Sequence, residues 1–261
     1  MAASSGARRP PSLVPDSHDR TIQAEFDRAA TAFAERTKGR FDAMGVAEFA
    51  RLQPGEAVLE VGSGTGNFLA LFEGAGMRVG VDLTHGMLVE AGKRHPDQHL
   101  VVGDGRKLPL KTGSVDIASC AQMIHHVWDP LPLVKELRRV AGNSGRVLVV
   151  DQIALESFEA CTRMGQLETL RDPSHAVSRP RSGYLTLVRA AGLDIVEERT
   201  FEDHSRLSKW MWPDEYPQER IDLVREFIEK FGHETGMEWE RDGDDFAFTR
   251  RRIMILARRP D

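Results

Sequence analysis

The stretch 57-AVLEVGSGTGNFLALFEGAG-76 decides the fold class. It opens with apolar β-formers, breaks at Gly62, Gly64 and Gly66, and resumes with apolar residues at helical spacing. Glycine at such positions permits positive φ and lets a ligand approach the backbone closely. A strand ending at residue 62 and a helix starting near residue 66 would meet in a tight turn. The helix start would add free N–H groups and a partial positive charge.

Working outward, strand-like runs recur at 78–83, 99–104, 115–121 and 146–152, with helical patterns at 66–73, 85–95 and 129–141 between them. This alternation predicts an open, doubly wound α/β fold with a parallel sheet covered on both faces. The rhythm changes after Gln152: 153–181 is long and mixed in polarity, and a helix at 184–191 ends at Gly192. A strand at 194–203, an amphipathic helix at 214–231 and a last strand at 246–258 follow. Because 253-IMILA-257 is apolar on both faces, that last strand is expected inside the sheet. Upstream, Ile22, Phe26, Ala29, Ala30 and Phe33 return at helical spacing, a pattern that continues to about residue 52 and stops at Pro54-Gly55.

The chain of 261 residues is long enough for one domain with elaborations. Thirty-five basic against forty acidic side chains give a net charge of −5, so no global field favours nucleic acid or an anionic membrane. No apolar run approaches bilayer-spanning length. Two cysteines, Cys120 and Cys161, make no disulfide framework, which fits a reducing cytoplasm. The expected organisation is a disordered tail over 1–20 without the apolar core of a secretory signal, and a helical lid over 21–52. A ligand-binding core over 53–152 and a substrate-covering, sheet-completing segment over 153–261 follow.

Dinucleotide-binding folds require G-x-G-x-x-G, whereas the spacing here is the tighter Gly62-x-Gly64-x-Gly66, with Glu60 two residues ahead. Three further segments matter: 81-VDLT-84 with Met87-Leu88, 103-GDG-105 with 108-LPL-110, and 115-VDI-117 leading to 124-IHHV-127, Glu136-Leu137, Arg139-Val140 and Gly145. Together they resemble the class I S-adenosylmethionine-dependent methyltransferases, in the branch of the ubiquinone and menaquinone C-methyltransferases and natural-product methyltransferases. One departure is 142-GNSG-145, where relatives carry a basic-Pro-Gly-Gly turn.

The resemblance implies a seven-stranded Rossmann-like sheet with its last strand antiparallel, S-adenosyl-L-methionine as cofactor, and a small-molecule methyl acceptor, with oligomeric state open. It implies that Glu60, Gly62, Ser63, Gly64 and Gly66 form the cofactor loop, and that Asp82, Leu83 and Met87 serve the ribose. Gly103, Asp104 and Gly105 would serve the adenine, and Cys120, Ala121 and Gln122 would line the methionine portion. Phe33 either lids the methionine end or packs in a helix core. His126 is a candidate general base or a backbone-bonding structural residue, and His175 a substrate contact or the end of a capped turn. Trp210, Trp212 and Tyr216 either wall an apolar pocket or cover the sheet edge. Asp151 lacks companions for a metal site, so none is expected. Arg250, Arg251 and Arg252 are expected at a solvated surface, because strand alternation would split them between faces. An alternative keeps the cofactor without methyl transfer, as a cyclase-like enzyme or a sensor.

Overall fold

The computed structural model describes residues 16–211 and 216–260. Helix α1 (Asp16–Arg36) leads through short helix α2 (Val46–Phe49) into strands β1 (Ala57–Val61) and β2 (Met77–Asp82). Helix α3 (His85–Arg94), β3 (His99–Val102), β4 (Ile117–Ala121), α4 (Leu131–Ala141) and β5 (Arg146–Ile153) follow. The remainder is α5 (Phe158–Arg171), α6 (Arg181–Ala190), β6 (Asp194–Arg206), α7 (Leu207–Met211), α8 (Gln218–Phe231), β7 (Glu240–Asp242) and β8 (Asp245–Arg258).

The sheet order is β3-β2-β1-β4-β5-β8-β6, with short β7 paired to β8 off this path. Strands β1 to β5 pair in parallel, and β8 runs antiparallel between β5 and β6. The expected doubly wound sheet with an interior antiparallel last strand is therefore what the chain forms. The apolar run explains the insertion: Ile253, Ile255 and Ala257 join the core on one face, Met254 and Leu256 on the other. A satellite core of Met164, Leu167, Trp210, Val224 and Phe248 holds α5, α7 and α8 against the start of β8.

Four local readings are corrected. Residues 66–73 make no α-helix, only a 3-10 turn at Leu69–Leu71, because glycines at positive φ (Gly66, +77°; Gly74, +87°) bound a segment too short to nucleate one. The 21–52 pattern breaks after Arg36, with Gly39 and Gly45 at positive φ. Its first helix starts at Asp16, inside the stretch read as tail, and the rest of that tail (1–15) lies outside the described residues. The mixed segment 153–181 contains α5, whose N-terminus is capped by the Ser157 side chain accepting from the Ala160 N–H at 3.0 Å.

Among the described residues no helix is long and apolar enough to cross a membrane. Because β8 is buried on both faces, Leu256→Ala is expected to cost roughly 2–5 kcal/mol of unfolding free energy. Urea denaturation followed by circular dichroism measures it; a loss below about 1 kcal/mol would contradict the interior placement.

Candidate functional site

At the carboxyl edge of the parallel strands lies a cavity of about 650 Å³, walled by one face of α1, the glycine loop and the turns after β2, β3 and β4. Its glycine-loop end is acidic. The Gly64 N–H donates to Asp82 Oδ2 and the Thr84 N–H to Asp82 Oδ1, each at 2.8 Å, so one carboxylate ties two turns together. Burial still raises the Asp82 pKa above the usual carboxylate value, against those hydrogen bonds. Glu60, 1% exposed, is raised well above its ordinary range by burial and then by Asp82. Its Oε2 has no hydrogen-bond partner, and neither do the buried Ser63 Oγ and Gln122 Nε2. Three orphaned polar atoms on one wall fit a ligand bearing both an ammonium and hydrogen-bonding groups.

Gly62 and Gly64 line the cavity, both at positive φ. A Cβ on Gly64 would meet nothing within 4 Å, whereas one on Gly62 would lie 2.5 Å from Met123 Cγ. Gly66 is a correction: it does not line the wall, and a Cβ there would strike Gln98 Oε1 at 2.4 Å. Its role is to let the loop pack on Gln98, whose Nε2 donates to the Gly66 carbonyl at 3.0 Å. Gln122 reaches the cavity from the end of β4 in a left-handed conformation, φ 52°, which costs backbone energy in a residue with a side chain.

Leu83, Met87, Gly103, Asp104, Gly105 and Ala121 also line the cavity, as does Phe33 from α1. Asp104 accepts from the Arg106 N–H at 2.8 Å and from Arg106 Nε at 2.9 Å. Partial burial works against the Asp104 anion, and Arg106 outweighs it, holding the carboxyl below its usual range. Arg106 Nη2 continues to Asp19 Oδ2 at 2.5 Å, pinning α1 over this turn. Cys120 faces away from the cavity into the core, and burial followed by Asp151 and Glu60 pushes its thiol up, so it is no nucleophile.

The two candidate histidines separate. His126 lines the cavity; its Nδ1 donates to the Ser174 carbonyl at 2.9 Å, which leaves Nε2 as the acceptor atom of the neutral ring. Burial, followed by His125, pushes its pKa down to about 4. His175 is a correction: it is buried off the wall, with Nε2 3.1 Å from Ser178 Oγ, and burial lowers it to about 3. Neighbouring His125 anchors this region through Nδ1 to Asp151 Oδ1 at 2.6 Å. Among the described residues no group of three or more His, Cys, Asp or Glu side chains is placed to hold a metal ion.

Several wall residues escaped the sequence reading. Asn67 Nδ2 bridges the Ala34 carbonyl (3.1 Å) and Thr37 Oγ1 (3.0 Å), tying the loop to α1. Arg40, Arg171, Arg250, Arg252, Asp172 and Asp203 form the far end, with Trp210 and Tyr216 beside them. The solvated-surface expectation is thus corrected for Arg250 and Arg252, which face the cavity, Arg252 being 5% exposed. The signal was their spacing on one face of an interior strand. Trp212 lies outside the described residues.

Residues 59–149 match the family profile described as a methyltransferase domain. An uncharacterized methyltransferase of Bacillus subtilis, YcgJ, is 30% identical over 165 residues, covering 61% of this chain and 62% of that one. A demethylmenaquinone methyltransferase of Beutenbergia cavernae is 33% identical over 100 residues, 38% of this chain and 42% of that one. A solved candidate methyltransferase from Bacillus halodurans superposes with a TM-score of 0.76 at 26% identity, covering 84% of this chain and 98% of that one. Residues 59–149 are a methyltransferase domain. The chain spans less than two thirds of the length of these two curated relatives, 62% and 42%. Within this domain family the cofactor is S-adenosylmethionine, which carries a sulfonium and an ammonium, the charges an acidic end suits.

Two measurements test this geometry. Gly66→Ala is expected to destabilise the fold by about 1–3 kcal/mol, from positive φ and the Gln98 clash. Gly64→Ala should cost less stability, with its effect falling on ligand affinity; equal losses in urea unfolding would refute the distinction. In acid, the unfolded chain protonates His126 and His175 near pH 6.5 while the native protein keeps them neutral down to about 4 and about 3. Stability from these rings is fully present above pH 6.5 and falls as pH drops through that window, by at most about 1.4 kcal/mol per unit per proton. His175→Leu should show a shallower slope between pH 6.5 and 4 than the wild type.

Proposed function

We propose that the protein transfers a methyl group from S-adenosylmethionine to a small-molecule acceptor. The observation that carries this is the convergence on one end of one cavity of Asp82, Gly64 and the unpartnered Glu60 Oε2 and Gln122 Nε2. Asp82 would take the ribose hydroxyls on its remaining lone pairs, and Gly103, Asp104 and Gly105 would border the adenine. Glu60, Ser63, Ala121 and Gln122 would hold the methionine portion, with Phe33 covering it. Bound there, S-adenosylmethionine supplies an activated methyl carbon, to which the nucleophile's electron pair bonds as the carbon–sulfur bond breaks.

The chain's own work is positioning, dehydration and proton handling. Helix α1 closes over the cavity through the Gln23 Nε2 bond to the Leu83 carbonyl (3.0 Å), the Asp27 acceptance from the Gly86 N–H (2.8 Å) and the Arg106–Asp19 pair. His126 Nε2 would accept the nucleophile's proton or orient it. A ring held near pKa 4 is neutral at physiological pH but a weak base, so its share of the rate acceleration is modest. Quinone-like or natural-product acceptors, with oxygen, nitrogen or carbon nucleophiles, follow from likeness to the relatives' branch alone.

Incubation with methyl-labelled S-adenosylmethionine and a metabolite extract of the source organism, read by mass spectrometry, tests the reading. A labelled small molecule is the expected result; confirmed cofactor binding without any labelled product would favour the non-methylating alternative. Asp82→Ala should weaken cofactor binding by on the order of 1–3 kcal/mol in calorimetry. His126→Asn keeps a donor for the Ser174 carbonyl and removes Nε2, so kcat should fall about tenfold to a hundredfold with cofactor affinity retained. An unchanged kcat would make His126 structural.

A further inference from the structure

Given that cofactor reading, we propose that the methyl acceptor is an anion, its carboxylate or phosphate group held by Arg40, Arg250, Arg252 and Arg171 at the far end of the cavity. All four line the same cavity as Asp82 and His126. The end is short of anions. Arg250 Nη2 and Arg252 Nη2 converge on a single oxygen, Asp203 Oδ2, at 2.7 and 2.8 Å. Arg250 Nε is buried without a partner. Arg40 forms no ion pair among the described residues and sits 5.7 Å from the Phe33 ring. Arg171 is already engaged by Glu168 at 2.9 Å and Asp172 at 3.7 Å. It supplies a platform, lying 4.8 Å over the Trp210 ring.

Burial and mutual repulsion make the shortage costly. Arg40 is pushed down to about 9 by burial first and then by Arg250, Arg252 and Arg171, and Arg250 to about 10 by burial first and then by Arg252. An oxyanion among them would offset both effects, and guanidinium forks match carboxylate and phosphate oxygens two at a time. The position suits an acceptor. Asp172 joins the two halves, accepting from Ser174 Oγ at 2.5 Å beside His126 and lying 3.7 Å from Arg171. A molecule anchored on the arginines would therefore reach toward His126 and the methionine end. The cavity is acidic where the cationic cofactor would lie and basic where the acceptor would lie.

The test is calorimetry on the full chain with S-adenosylhomocysteine present, at constant ionic strength, titrating sodium benzoate, sodium pyrophosphate and, as a neutral control, methyl benzoate. Saturable binding of benzoate or of pyrophosphate, with none of the ester, is expected, and the one that binds tells a carboxylate from a phosphate acceptor. Arg40→Gln and Arg250→Gln should each weaken that binding about tenfold or more while S-adenosylhomocysteine affinity stays within about twofold. Arg250→Gln strips a partner from Asp203; if that variant unfolds, Arg40→Gln decides alone. Binding of neither anion, equal binding of the ester, or unchanged affinity in Arg40→Gln would overturn the proposal. Anion binding without any S-adenosylhomocysteine binding would instead keep the anion site and defeat the cofactor reading.

Discussion

Desolvation governs how this cavity is built. A carboxylate or guanidinium taken out of water must regain the lost solvation from partners, or its charge becomes costly to hold. For some wall residues the protein supplies those partners itself: His125 meets Asp151 at 2.6 Å, and Arg171 meets Glu168 at 2.9 Å. At the two ends of the cavity compensation is incomplete. Glu60 and Asp82 lie close enough to raise one pKa further, and Arg40 lies among three other arginines. Incomplete pairing at a surface with ligand-sized free volume is energy available to a charged ligand, whereas the same deficit inside the core would only destabilise the fold.

The His126 side of the wall depends on a clamp between distant segments. The His125 carbonyl accepts from the Ala176 and Val177 N–H groups at 2.9 and 3.1 Å. Arg179 Nη1 donates to the Ile124 carbonyl (3.1 Å) and Nη2 to the Val127 carbonyl (2.8 Å). These bonds fix the turn after β4 against the segment between α5 and α6, and Ser174 in that segment fixes the His126 tautomer. Ring orientation at His126 is thus set by residues about fifty positions away in sequence. His175 belongs to this clamp, which accounts for its burial off the wall.

The sheet and the position of the glycine-loop wall were legible in the sequence because both are local. Apolar runs mark the strands, and Glu60, Gly62, Gly64 and Asp82 sit at strand ends whose location follows from the alternation. The helix read after Gly66 was not legible correctly: Leu69 and Phe72 have helical spacing, yet a 3-10 turn buries both. Helix α5 was missed although Ala160, Met164 and Leu167 recur at helical spacing, because Glu168 and Arg171 between apolar positions disguise a face that buries an ion pair. The basic end was invisible for a different reason. Its residues come from the turn after α1, the end of α5 and the start of β8, and a net charge of −5 says nothing about charges that fold brings together.

Strand β8 connects the two properties. Running antiparallel between β5 and β6, it enters from the edge where the parallel strands end, and its Arg252 pairs with Gln152 near the close of β5. That edge is where open α/β sheets place ligands. The first half of the strand therefore lies at the cavity and the second half in the core. Alternation then puts Arg250 and Arg252 on the cavity side, while Arg251 turns to Glu202 and the Gly236 carbonyl on the opposite face. A polar residue in the leading half of such an inserted strand is consequently a candidate wall residue, even when its charged neighbours suggest a solvated surface. Packing of 253–257 between β5 and β6 holds the arginines at a fixed depth, so the apolar core and the charged end of the cavity are positioned by the same fourteen-residue strand.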